Sequence, residues 1–193
     1  MAKTRKAGEV HQLKITLRDL KPPVWRRVQV KDCSLSRLSD VIQTCMGWEG
    51  YHLHAFEIGG EQYSEPDPDG MMESEDERKF KLGQFIRLGF KKFSYTYDFG
   101  DNWRHTIQVE KTLPAEAGVS YPRCIAGKGA CPPEDCGGPW GYQELLEAVQ
   151  NPKHKRHGEL LEWVGGEFDP GAFDAEVATK RMQRGLPDWR RWA

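Results

Sequence analysis

The stretch from Tyr97 to Glu110, YDFGDNWRHTIQVE, gathers Asp98, Asp101, Trp103 and His105 around one turn. Carboxylates and an imidazole grouped in this way suit three jobs: ligating a divalent ion, receiving a cationic ligand, or exchanging protons with a substrate. Two other places carry related chemistry. His52 and His54 stand at i and i+2, which on a strand turns both rings to one face, as chelation by two imidazoles requires. With His105 they are the metal-ligand candidates. Glu134 and Asp135 follow Pro132-Pro133 and precede Gly137-Gly138, so a stiffened loop displays two carboxylates in fixed positions. Each group also has a plainer reading. Asp98 would pair across the strands with Arg104, His105 would be a hydrogen-bonded core histidine, and the loop acids would cap the helix that begins near Trp140.

The elements that must position these groups are legible in the periodicity. Leu13, Ile15 and Leu17 alternate with Gln12, Lys14 and Thr16, and Val24, Val28 and Val30 share a face after Pro22-Pro23, so two antiparallel strands are expected. Residues 35–46 change to helical spacing, with Ser34 as cap and Gly47 at the end. Gly59-Gly60 marks a hairpin turn, and KLGQFI a short helical turn. The acidic stretch Ser64–Arg78 reads as a solvated loop, and its likeness to a calcium loop fails on Glu65, two prolines and the lack of a preceding helix. The stripes Tyr142, Leu145, Leu146, Val149 and His157, Leu160, Leu161, Val164 predict two helices. A last helix is expected to start at Asp169-Pro170. Strands first and helices last make the fold class α+β.

The central hairpin can be worked out further. Phe93, Tyr95, Tyr97 and Phe99 face one way, as do Trp103, His105, Ile107 and Val109. Setting these rows against each other needs an odd-numbered loop. Gly100-Asp101-Asn102 satisfies this, with Asn102 in the left-handed region, and pairs Phe99 with Trp103 and Tyr97 with His105.

Composition limits the function classes. The 193 residues are 38% hydrophobic and 11% aromatic, enough for one packed domain. Lys+Arg 28 against Asp+Glu 29 leaves a net charge of -1, which removes the simplest case for a nucleic-acid binder. The basic-aromatic clusters Trp25–Arg27, Lys91-Lys92 and the tail LPDWRRWA keep a weaker one. No signal-peptide core or membrane-length apolar run is present, and the five cysteines read as reduced thiols, so a cytoplasmic protein is expected. Cys124, Cys131 and Cys136 match zinc-knuckle spacing poorly.

The segments PPVWRRVQV, MGW followed by YHLHAFEI, YDFGDNWRHTIQVE, PPEDCGGPWGY and LLEWVGGEFDPGAF occur in an order that resembles the plasmid pRiA4b ORF-3-like proteins, over roughly Val10 to Phe173. The resemblance implies a roll-like, mixed, mostly antiparallel sheet packed against an N-terminal helix and two or three C-terminal helices. It implies no particular activity. Members have been labelled resolvases or repressors, yet no resolvase nucleophile motif or second helix-turn-helix domain stands in this chain. Residues 1–9 are then a basic tail, 10–176 one domain, and 177–193 an extension to which nothing carries over.

Because the segments that carry the resemblance are polar as well as apolar, the hairpin tip, the PPED loop and the His52/His54 strand are expected to converge on one concave site. The first functional reading is a non-enzymatic binding module with an acidic and aromatic surface of Asp98, Asp101, Trp103, His105, Glu134 and Asp135, for a protein or small-molecule partner. The alternatives are a metal-dependent hydrolase or nuclease with Glu134 as general base, and a nucleic-acid binder. No cofactor is firmly implied, a divalent metal being the one candidate, and no membrane partner is expected.

Overall fold

Alternating apolar residues between Glu9 and Lys128 build one sheet, in a computed structural model that describes residues 8–66 and 73–187. The strands are β1 (Glu9–Leu17), β2 (Trp25–Lys31), β3 (His54–Ile58), β4 (Glu61–Ser64), β5 (Glu75–Asp76), β6 (Lys92–Tyr97), β7 (Trp103–Pro114) and β8 (Arg123–Lys128). Their order is β5-β4-β3-β6-β7-β1-β2-β8, antiparallel throughout except for the parallel β4–β5 pair. The helices are α1 (Leu35–Met46), α2 (Leu82–Arg87), α3 (Gly138–Gln150), α4 (His157–Trp163) and α5 (Ala175–Arg184). The class is therefore α+β. Among the described residues, no helix is long and apolar enough to cross a membrane.

The expected apolar faces form the core. Leu13, Ile15 and Val28 of the central strands meet Leu35, Leu38 and Ile42 of α1, all with no exposed surface. α1 is bounded as its sequence predicts: Ser34 Oγ accepts the Arg37 N–H at 3.2 Å, and Gly47 adopts φ 129°.

Two expectations need correction. The acidic stretch is not simply a solvated loop, because Glu75 and Asp76 add a short strand and Glu77 is fully buried; residues 67–72 of that stretch lie outside the described residues, as do the tail 1–7 and most of the basic-aromatic C-terminus. Asp169 does not start the last helix. Its carboxylate accepts the Gly171 N–H at 2.8 Å in a local turn, and Asp174 instead caps α5 by accepting from Glu176 and Val177. α5 packs on α1 and β8, with Ala178 and Met182 buried. At the outer edge of the sheet, Thr179 Oγ1 accepts the Cys124 N–H at 2.9 Å and lies 3.4 Å from the Cys124 carbonyl.

Candidate functional site

Two loops and the approach to β3 meet at one end of the sheet. The β6–β7 hairpin brings the first loop, but in a different register from the one expected. Tyr97 pairs with Trp103, Tyr95 with His105 and Phe93 with Ile107, so residues 98–102 form a five-residue loop. The loop remains odd-numbered, which keeps the two apolar rows facing each other. The difference arises at Asp98, which leaves the strand at φ 54° while its carbonyl accepts the Asn102 N–H at 2.6 Å. Asp98 Oδ1 accepts from Gly100 N (2.9 Å) and Asp101 N (3.3 Å), an Asx turn in place of the expected pairing with Arg104. Arg104 instead bonds Asp19 at 2.8 Å, and Phe99 is exposed at the tip.

The hairpin tip is tied to both neighbours. Asp98 N donates to Leu53 O at 2.9 Å, which draws in the segment carrying His52. Asp101 Oδ2 accepts the Gly137 N–H at 3.1 Å, which draws in the loop before α3. That loop carries Glu134, whose Oε1 accepts from Glu49 N (3.1 Å) and the Tyr97 hydroxyl (3.0 Å). The carboxyl of Glu134 is raised above its ordinary range, chiefly by burial, although these hydrogen bonds and nearby His52 pull the other way. The Tyr97 hydroxyl is raised as well, by burial first and Glu134 second.

At the centre stands His52, with Nε2 at 3.1 Å from Asp135 Oδ1, 3.6 Å from Asp98 Oδ2 and 4.0 Å from Glu134 Oε2. Ligand atoms of His52, Asp98 and Asp135 all fall within 4.8 Å of one another, the one such grouping among the described residues. Asp98 is buried to 7% exposure, whereas the Asp135 side chain is 70% exposed. The arrangement can hold a cation or a positively charged side chain.

His54, Trp103 and His105 are not part of this grouping. β3 begins only at His54, so the i, i+2 spacing does not put His52 and His54 on a common strand face. His54 Nε2 lies 3.0 Å from the buried Glu77 Oε2, beyond the reach of a shared metal. Trp103 and His105 have no exposed surface and cannot touch a ligand from solvent. They stand behind the site with Trp48, which stacks on Tyr97 at 4.8 Å and meets His105 edge-on at 5.4 Å. Trp48, Tyr97 and Glu77 were absent from the sequence candidates. Only Tyr97 gave a signal, as the aromatic residue beside Asp98. The cysteines come together with no histidine or acid in a metal-ligating group among the described residues, and burial pushes the Cys136 thiol up to about 12. In the Trp25–Arg27 cluster, Arg26 is buried and Arg27 is held by both Glu110 oxygens, which leaves little for a phosphate backbone.

Burial also pulls the His105 imidazole down to about 4 from its ordinary 6.5, with Nδ1 at 3.2 Å from the Tyr95 carbonyl. A histidine depressed on folding binds its proton more tightly in the unfolded chain. Its contribution is complete above about 6.5 and is lost as the pH falls toward about 4. The loss is on the order of 3 kcal/mol if the ring must stay neutral. Urea denaturation across this range should give a steep acid limb, and His105→Gln should flatten it; an unchanged slope in the variant would assign the limb to other groups.

Comparison with known proteins agrees with this architecture. The chain matches the family described as plasmid pRiA4b ORF-3-like protein over residues 9–177. It belongs to that family. A relative from Sinorhizobium fredii (strain NBRC 101917 / NGR234), described as uncharacterized protein y4hQ, is 41% identical over 189 residues, covering 96% of this chain and 97% of its own. The crystal structure of a protein of unknown function, MM3350 from Methanosarcina mazei Go1, is 39% identical with a TM-score of 0.81, covering 88% of this chain and 97% of that one. This pRiA4b ORF-3-like chain thus shares sequence with both relatives and its fold with MM3350.

Proposed function

We propose that the domain is a non-enzymatic binding module that receives a peptide segment of a partner protein in the groove between the hairpin tip and the start of α3. The groove has a volume of about 780 Å³, with Leu20, Asp101, Asn102, Arg104, Pro139 and Trp140 among its lining residues. One observation carries the reading: Trp140, on the first turn of α3, is 88% exposed. An indole displayed on a rigid element, beside apolar Leu20 and Pro139, is the kind of anchor on which binding energy concentrates. Asp19 and Lys21 also border the groove, so its rim offers both signs of charge. That mixture suits a peptide backbone with a basic side chain placed over the indole and toward Asp101 better than it suits a polyanion.

Random nonamers displayed on phage and selected on the protein should enrich sequences containing Lys or Arg. Trp140→Ala should weaken the selected peptides by roughly tenfold or more, and Asp101→Asn by less. Selection without enrichment, or a Trp140→Ala variant that binds like the parent, would remove the reading.

The metal-dependent hydrolase is a second reading that one observation favours. Glu134, its carboxyl raised by burial, lies beside the His52 grouping where a general base would be needed. Turnover of bis(p-nitrophenyl) phosphate with added manganese, abolished by Glu134→Gln, would support it.

A further inference from the structure

We propose that His52, Asp98 and Asp135 form a binding site for one divalent transition-metal ion, of the class that accepts mixed imidazole and carboxylate ligands. The site shares two loops with the peptide groove but does not use Trp140, so it stands or falls separately from the reading above.

The argument begins with the orphaned atoms. His52 Nε2 is shielded from solvent and makes no well-directed hydrogen bond among the described residues, although Asp135 Oδ1 stands 3.1 Å away and two further carboxylates lie within 4.0 Å. A shielded imidazole nitrogen facing carboxylates from two other segments is a donor set that a bound cation would complete. Asp98 presents the complementary case. Its Oδ1 is engaged by the Gly100 and Asp101 amides, which fixes the carboxylate plane and leaves Oδ2 turned toward His52. Hydrogen-bonded ligands held in one orientation are what a metal site needs from its surroundings.

The donors come from three separate parts of the chain: the approach to β3, the hairpin tip and the loop before α3. Donor atoms within 4.8 Å of one another are close to the spread that ligands about 2.0–2.2 Å from a common centre require. Exposed Asp135 can rotate to close the difference. Glu134 lies at 4.0 Å with its oxygens already receiving Tyr97 and Glu49, so it would orient a metal-bound water or ligand rather than bind first. One nitrogen with carboxylate oxygens favours zinc, cobalt, manganese or iron over calcium or magnesium. The alternative is a direct contact between His52 Nε2 and Asp135 Oδ1, 3.1 Å apart, with no ion between them.

Titrating untagged, chelator-stripped full-length protein with cobalt(II), followed by visible absorption, and with zinc(II) by calorimetry, separates the two. One ion per chain is expected. His52→Ala and Asp135→Asn should each weaken it by roughly tenfold or more, while circular dichroism shows both folded, since neither side chain belongs to the core. Glu116→Gln, a remote exposed carboxylate, and Trp140→Ala should bind metal like the parent. Failure to bind at millimolar metal, or unchanged affinity in both His52→Ala and Asp135→Asn, overturns the site and leaves the direct His52–Asp135 contact. Loss of metal with peptide capture retained would leave the module reading intact.

Discussion

Replacing Trp103 with alanine is expected to lower the unfolding free energy by about 3–5 kcal/mol. Domains of this kind are stable by only about 5–15 kcal/mol in total, so the variant should be partly unfolded at moderate temperature. The reason lies in position as much as size. Trp103 is fully buried, opposite Tyr97 across the strands, with its indole 6.0 Å from Trp48. Removing it opens a hole at the point where the hairpin, the α1–β3 connection and the site loop lean on one another. The measurement is urea denaturation followed by far-ultraviolet circular dichroism, with Trp140→Ala as comparison. The same substitution at that exposed position should stay within about 0.5 kcal/mol. A Trp103→Ala loss below about 1 kcal/mol would mean that the surrounding rings collapse into the space, and that the aromatic wall is not what holds the site loops.

Gly138→Ala should have the second large effect, and it should reach function as well as stability. Gly138 sits at φ 67°, and a Cβ there would lie 2.5 Å from the Asp101 carbonyl oxygen. The left-handed conformation and the clash together are worth roughly 1–3 kcal/mol. Relief requires the loop to move away from the hairpin tip, which separates Asp135 from Asp98. The variant should therefore lose metal affinity and peptide capture together, whereas each side-chain variant proposed above loses one. Gly158→Ala is the control. That glycine lies within α4 with open space around it, and alanine there should be neutral or mildly stabilising. If Gly138→Ala keeps full stability and metal binding, the close approach of the two loops has no functional weight.

How much of this was legible beforehand follows from the range of the interactions involved. Alternation in β1, β2, β6 and β7 and the helical spacing of α1 and α3 are local patterns, and they identified the faces that became the core. The hairpin shows where locality ends. Its faces followed from side-chain alternation, but its register depended on Asp98 accepting a left-handed backbone, and an aspartate gives no firm notice of that. The convergence of hairpin tip, PPED loop and His strand is an expectation from the polar character of those segments, and His52 Nε2 lies within 4.0 Å of Asp98, Glu134 and Asp135. The membership was less legible. His54 was grouped with His52 by spacing alone, and its true partner Glu77 is 23 residues away in a stretch whose acidity suggested solvent. Trp103 and His105 were placed on a recognition surface because their types suit one; the alternation that turns them inward was visible, and it was the stronger signal. Trp140 was noted only as the start of a helix, since nothing in a sequence says whether an indole there is covered.

The contact between Thr179 and Cys124 bears on where this protein can be cut. A final strand normally offers its outer amides to any passing chain, and such an edge is a template for sheet-to-sheet association. Here a hydroxyl on α5 occupies the Cys124 amide and the helix packs on β8, so this edge of the sheet is covered from inside the same polypeptide. The sequence segments in which the chain resembles its family end near Phe173, whereas the family match itself runs to residue 177, within the first turn of that helix. A fragment trimmed to those segments would keep the acidic recess and lose its seal. It should then self-associate through β8, and crowding of copies in such a preparation would reflect the missing helix rather than the native assembly of the protein.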